Sequence, residues 1–305
     1  MNLKYDAEKD ALNKSTDAIR SNIKAQKDLA IAKAYQENMA AIAKDMADAQ
    51  MKLDEATQQN TKNEIALKEA KEATEKAYQK YDKFVCVSKA VSAQLGEFLS
   101  DRKKDIYMIY NYFDKDTIYK KSELEPVKFR DEGKKIRIVT VGRLSREKGQ
   151  DIAIESARIM KEKNIEFIWY FIGDGASYIE LRSLIKKYGL EKQVIFLGKM
   201  ENPYPYIKNC DIYVQPSREE GYGMTVAEAK MFQRAIVITN FLTAAEHIQN
   251  GENGYIVPIN QNELALKIMY LIKRPEKREQ FSHNLEGYNY PVECKEKIYE
   301  LFGIS

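Results

Sequence analysis

Three segments of this chain carry residue types that could hold a phosphate or a sugar, and each follows an apolar, β-branched run. The first is Gly142-Arg143-Leu144-Ser145-Arg146-Glu147-Lys148-Gly149, after residues 136–141. A glycine there lets the backbone approach a ligand, the Arg143 guanidinium can fork two phosphate oxygens, and Lys148 adds a point charge. A solvated basic turn is the plainer reading of the same residues. The second is Gly173-Asp174-Gly175, after residues 167–172, whose simplest reading is a tight strand-to-helix turn. The third, from Pro216 to Ala229, is the most informative. Gly221 and Gly223 open the N-terminus of a helix, where free N–H groups and the helix dipole favour a phosphate. Glu220 stands just before that turn and Glu228 inside the helix. Carboxylates accept paired hydrogen bonds from vicinal hydroxyls, as on ribose or a hexose. Acidic residues placed for the helix dipole are the alternative, and the basic turn after the first strand weighs against it.

Elements able to position these segments can be read from the pattern. After Lys135, strands at 136–141, 167–172, 194–197, 212–214, 235–239 and 255–257 alternate with helices at 150–163, 178–187, 204–208, 224–232, 244–249 and 263–273. That alternation predicts an α/β domain, doubly wound and Rossmann-like, with a parallel sheet covered on both faces. Ligands on such sheets bind at the carboxyl ends of the strands. Upstream, residues 84–88 read as a strand, 89–99 as a helix, 106–110 as a strand, and the charged stretch 122–133, with Pro126, as a linker. Residues 1–80 contain no Gly and no Pro and are rich in the helix formers Ala, Lys, Glu and Gln. A seam at 3–4 spacing runs from Ala32 through Tyr35, Met39, Ile42, Met46 and Leu53 to Phe84, with a polar interruption at Asn60 and Asn63. It predicts a long coiled-coil-like helical arm over residues 1–83, packed on itself, on a second copy or on a partner protein. A single exposed helix also fits, because half the seam positions are Ala, Asn or Thr.

The ordered set Gly142-Arg143-Leu144, Lys148-Gly149, Gly173-Asp174-Gly175, Phe196-Leu197-Gly198, Glu220-x7-Glu228 and Asn250 to Pro258 resembles glycosyltransferase family 4, over about residues 84–303. The resemblance implies a retaining hexosyltransferase of the GT-B fold. It would take a nucleotide-diphosphate sugar as donor substrate, with no other cofactor, and a saccharide or lipid as acceptor. Carried onto this chain, it puts Arg143 and Lys148 on the diphosphate and Glu228 on the ribose hydroxyls. Glu220, the candidate catalytic position, would contact the donor sugar. The backbone of Gly221, Tyr222, Gly223, Met224 and Thr225 would line sugar and phosphate, with Lys199 and Met200 beside the base. No metal is implied, since Arg143, Lys148 and the helix N-terminus take the neutralising role.

Two departures concern loops. Gln233 and Ala235 stand where the family shows Gly and Pro, and Ala244-Ala245 replaces a paired glycine before Glu246. A third concerns domains. The family has two Rossmann-like domains, the first of which binds the acceptor, and here residues 84–114 resemble only its last strand-helix-strand. The expected organisation is therefore the arm at 1–83, a remnant with linker at 84–133, and the donor domain at 134–305. Three readings stay open: a glycosyltransferase, an inactive sugar-nucleotide-binding or coiled-coil assembly protein, and a truncated or fused gene product.

The whole chain sets bounds. It has 305 residues, 44% hydrophobic and 31% charged, and a net charge of +3, too small to argue for a nucleic-acid partner. Its longest near-continuous apolar run, residues 167–173, is far short of the roughly 20 residues of a membrane span. The charged N-terminus carries no secretory pattern. Cys86, Cys210 and Cys294 form no metal or redox spacing, and there are only two histidines. The expected location is cytoplasmic, with peripheral contact at the inner membrane face compatible.

Because the donor-type residues all lie in 142–228 and no acceptor surface is legible, the chain by itself is expected to transfer sugar poorly. The check is incubation with candidate sugar nucleotides and lipid or saccharide acceptors, followed by mass spectrometry. Multiple-turnover transfer by this chain alone would overturn the expectation.

Overall fold

A computed structural model of the chain describes residues 72–111, 114–124, 126, 127, 129, 135–290, 297 and 301. The arm expected over 1–83 thus lies outside the described residues as far as residue 71. The chain divides into two compact units, Met1–Tyr110 and Asn111–Ser305.

In the described part of the first unit, a helix over residues 72–78 precedes β1 (Phe84–Cys86), α1 (Lys89–Phe98) and β2 (Ile106–Met108). The strands pair in parallel, Phe84 opposite Ile106 and Cys86 opposite Met108. Ser88 starts α1 by accepting the Val91 amide at 3.2 Å, the usual use of a serine at a helix N-cap. Tyr78, Phe84, Cys86, Val91, Leu95 and Leu99 form a buried cluster among the described residues of this unit. Tyr78, which precedes the sequence boundary at residue 84, packs its ring edge-on against Phe84 and Phe98. Arg102 donates to the carbonyls of Tyr78 and Asp82, so the segment before β1 is tied into the unit.

The second unit opens with α2 (Lys115–Glu123), capped by Asp114, a helix that reaches into the stretch expected to be linker. There follow β3 (Ile136–Val141), α3 (Gln150–Glu162), β4 (Phe167–Ile172), α4 (Tyr178–Lys187), β5 (Val194–Gly198), α5 (Tyr204–Asn209) and β6 (Ile212–Gln215). Next come α6 (Met224–Met231), β7 (Ala235–Thr239), α7 (Ala244–His247), β8 (Tyr255–Val257), α8 (Gln261–Ile272) and α9 (Pro275–Asn284). All six strands are parallel, in the order β5-β4-β3-β6-β7-β8. β4, with the sequence FIWYFI, is buried at every residue, as a strand covered on both faces must be. The chain leaves β3 toward β4 and β5, then crosses back to lay β6 on the other side of β3. The crevice outside the carboxyl ends of β3 and β6 is therefore the topological switch point, where open sheets of this kind hold ligands. A buried polar link crosses the sheet there: Trp169 Nε1 donates to Thr140 Oγ1 at 3.0 Å, and Thr140 donates to the Val214 carbonyl at 2.7 Å.

α6 ends in a Schellman motif. The Arg234 amide bonds the Ala229 carbonyl at 3.0 Å and the Gln233 amide bonds the Lys230 carbonyl at 2.9 Å. The motif requires a left-handed residue after the cap, and Gln233 takes it at φ 54°. That explains why glycine is the residue of the resembled pattern here. A side chain in this conformation costs roughly 1–2 kcal/mol, part of which glycine's extra freedom in the unfolded chain takes back. Gln233→Gly is accordingly expected to stabilise the unit by about 0.5–1 kcal/mol in urea denaturation.

Candidate functional site

The loops that leave β3 and β6 touch along their length. Gly149 adopts φ 68°, and a Cβ placed on it would lie 1.9 Å from the Pro216 carbonyl oxygen, so only glycine fits. The Arg218 amide donates to the Glu147 carbonyl at 2.7 Å. The Arg218 guanidinium forks onto both oxygens of Asp151, at 2.7 and 2.6 Å, and also reaches the Arg146 carbonyl at 2.8 Å. Such a bidentate pair is a rigid clamp. The Asp151 carboxyl is half-enclosed, and burial pushes its pKa up. The Arg218 contact outweighs that and leaves the pKa below the ordinary value.

That clamp brings two sequence-predicted residues together. Lys148 Nζ lies 2.8 Å from Glu220 Oε2, and the Glu220 side chain is only 8% exposed. The other oxygen of Glu220 accepts from Ser217 Oγ at 2.8 Å and from Gln215 Nε2 at 3.0 Å. Arg143 comes from the same loop as Lys148. Its side chain is exposed, while its carbonyl accepts from the buried Gln150 amide at 2.8 Å.

The loop after β4 is more than a strand-to-helix turn. A Cβ on Gly173 would sit 1.9 Å from the Gly142 carbonyl oxygen, and one on Gly175 2.3 Å from that of Leu144. The glycines let this loop lie directly on the 142–144 backbone, where the Leu144 amide bonds the Asp174 carbonyl at 3.0 Å.

At the N-terminus of α6, Gly223 is left-handed at φ 100° and no side chain caps the helix. The residues of the preceding turn point different ways. Tyr222 is buried, its ring against His247 and Tyr290, so the turn offers backbone rather than the phenol. Its carbonyl is fixed inward by Thr243 Oγ1 at 2.9 Å and His247 Nε2 at 2.6 Å. Gly221 is part-exposed, Met224 Sδ accepts from Tyr290 at 3.7 Å, and Thr225 Oγ1 donates to Gln215 at 3.2 Å.

Glu228 contrasts with Glu220. It lies on α6, almost enclosed by protein but with some surface remaining, and among the described residues no donor reaches its carboxylate. Burial alone pushes its pKa up to about 8. An enclosed carboxylate with surface remaining and no partner is open to a hydroxyl-bearing ligand. Lys199 is exposed and Met200 part-exposed, just after the left-handed Gly198 that ends β5, two strands away from the switch point.

The residues that sequence did not single out are mostly the supports: Gln215, Asp151, Thr243 and His247. Gln215 left one signal, a polar residue closing an otherwise apolar strand. Among the described residues no cluster of His, Cys, Asp and Glu could hold a metal, and no helix is long and apolar enough to cross a membrane.

The Glu228 shift fixes the sign of a pH effect. Its folded pKa, about 8, exceeds the ordinary 4.5, so between these values the folded chain holds a proton that the unfolded chain has released. Its contribution to stability is present below pH 4.5 and is lost as pH rises through 8. Glu228→Gln is expected to raise Tm over wild type at pH 8 and to leave it nearly unchanged near pH 4.5. Lys230, lowered to about 8 by burial, and His247, lowered to about 4 by burial, titrate in both proteins and drop out of the comparison.

Comparison with known proteins places this geometry in a family. The model of the group 1 glycosyl transferases matches residues 121–287, more than half of the chain. An uncharacterized glycosyltransferase of Methanocaldococcus jannaschii is 30% identical over 206 residues, covering 67% of this chain and 53% of that protein. N-acetyl-alpha-D-glucosaminyl L-malate synthase of Bacillus anthracis is 26% identical over 203 residues, covering 65% and 50%. The chain thus spans about half the length of the curated relatives it matches. Among solved structures, Anabaena HepE in complex with UDP-glucose superposes with a TM-score of 0.66 at 22% identity, over 77% of this chain and 67% of that one. The doubly wound sheet, its loop glycines and the matched 121–287 segment together make this chain a member of the group 1 glycosyl transferases, with a Rossmann-like domain of the GT-B type.

Proposed function

We propose that the domain built on β3–β8 binds a nucleoside diphosphate sugar and is the donor half of a retaining hexosyltransferase. The observation that carries this reading is the juxtaposition of Lys148 and Glu220 at 2.8 Å across the switch point, beside the uncapped N-terminus of α6. Arg143 and Lys148 neutralise the diphosphate together with the backbone N–H groups of residues 221–225. Glu228, enclosed and with no donor among the described residues, takes the ribose hydroxyls. Glu220 takes hydroxyls of the hexose, and the Lys199–Met200 turn borders the base. A uridine nucleotide is the first donor to try, because the structural neighbour HepE is a complex with UDP-glucose.

The chemistry such a site supplies is charge stabilisation of the departing nucleoside diphosphate, by groups whose positions are set before the reaction begins. Transfer itself needs a saccharide or lipid hydroxyl held against the anomeric carbon. Proximity and orientation then supply much of the rate. That acceptor surface lies beyond the groups assigned here.

Titration calorimetry with uridine and guanosine diphosphate sugars tests the reading. Arg143 is exposed, so Arg143→Ala should fold as wild type does. Loss of its charge-assisted contact should weaken binding by about 10- to 100-fold, or roughly 1.5–3 kcal/mol. Equal affinity in the two proteins, or no nucleotide binding in either, would remove the assignment.

A further inference from the structure

We propose that Gln215 is the positioning residue that sets the Glu220 carboxylate for recognition of the donor's sugar, a role that rests on the donor-site reading above. Gln215 closes β6 and is 1% exposed, a polar side chain at the end of a strand that is otherwise buried and apolar or aromatic. A primary amide has two acceptor sites on oxygen and two N–H donors. All four are engaged. Gln215 Oε1 accepts from Tyr213 OH at 2.7 Å and from Thr225 Oγ1 at 3.2 Å. Gln215 Nε2 donates to Ser217 Oγ at 2.9 Å and to Glu220 Oε1 at 3.0 Å.

The network fixes which way the amide faces. Turning it over would set its oxygen against the Glu220 carboxylate, acceptor against acceptor. Ser217, having accepted from the amide, must spend its one proton on Glu220 Oε1, 2.8 Å away. Two donors thus hold one oxygen of Glu220 from the core side, while Lys148 holds the other at 2.8 Å. A carboxylate offers about four acceptor sites, so capacity remains for a ligand hydroxyl. The same amide holds Thr225, in the first turn of α6. One buried side chain therefore sets the spacing between the sugar-facing carboxylate and the turn that faces the diphosphate. Arg143 and Lys148 take no hydrogen bond from it, so both cations of the diphosphate site stay in place when Gln215 changes.

Two substitutions isolate the role. Gln215→Met is close in volume and removes the amide donor to Glu220 without adding a charge. Ser217→Ala removes the other donor and leaves Tyr213 and Thr225 in place. Both are compared with wild type by calorimetry on the full chain, after thermal melting confirms folding. The probes are UDP-glucose, UDP-N-acetylglucosamine and GDP-mannose, each beside its parent nucleoside diphosphate. Each variant should keep its affinity for the nucleoside diphosphate within about twofold and lose about 10-fold or more for the sugar nucleotide that wild type binds best. If Gln215→Met does not fold, Ser217→Ala decides. Equal weakening of both ligands, or of neither, overturns the positioning role and leaves the donor site standing. Failure of wild type to bind any sugar nucleotide overturns the donor-site reading, and this role with it.

Discussion

The candidate site depends on one contact: the loop leaving β3 lies against the loop leaving β6. The two strands are neighbours in the sheet but are separated in sequence by the whole β4–β5 excursion. Parallel strands fix where their carboxyl ends fall. They do not fix the loops beyond, which must find their own partners. Here a glycine with no Cβ, an arginine forked on an aspartate and two backbone hydrogen bonds to Glu147 do so. Lys148 and Glu220, 72 residues apart, are then at ion-pair distance as a consequence rather than a cause. With the Glu220 side chain only 8% exposed, desolvation offsets much of the attraction, so the pair is weak evidence for stability by itself. Its value is positional.

The two glutamates of the motif occupy opposite electrostatic situations. Glu220 is surrounded by donors on the protein side and presents what is left of its accepting capacity outward. Glu228, on the α6 helix, has burial and no donor among the described residues, and its proton is held up to about pH 8 as a result. Tyr204 feels the same region, its hydroxyl pushed up to about 12 by burial and by the nearby Glu228 charge. Buried groups left short of partners are costly, and they are retained where a ligand completes them. The turn between the glutamates is held from behind, through the Tyr222 carbonyl, by Thr243 and His247. Ala244 and Ala245, which replace paired glycines of the family pattern, fall in the helical conformation of α7, where a Cβ is accommodated. That substitution leaves the anchor intact.

Sequence by itself determined the α/β class, most of the strand and helix order after residue 135 and the segments that make up the candidate site. The reason is local: β-branched runs, amphipathic periodicity and loop glycines act within a few residues of themselves. The Phe167–Ile172 strand and the Gly223-headed helix are visible that way. Local pattern was weaker for α2 and for α9, whose polar surfaces hide the few residues that pack, Ile118 and Phe281. Only the tertiary structure decided which loops meet, and therefore that Lys148 faces Glu220, that Gly173 and Gly175 press on the 142–144 backbone, and that Gln215 reaches both Glu220 and Thr225. These depend on strand order, which a one-dimensional pattern does not contain. The positive φ at Gln233 belongs with them: the residue type argues against that conformation, and the Schellman bonds closing α6 before β7 impose it.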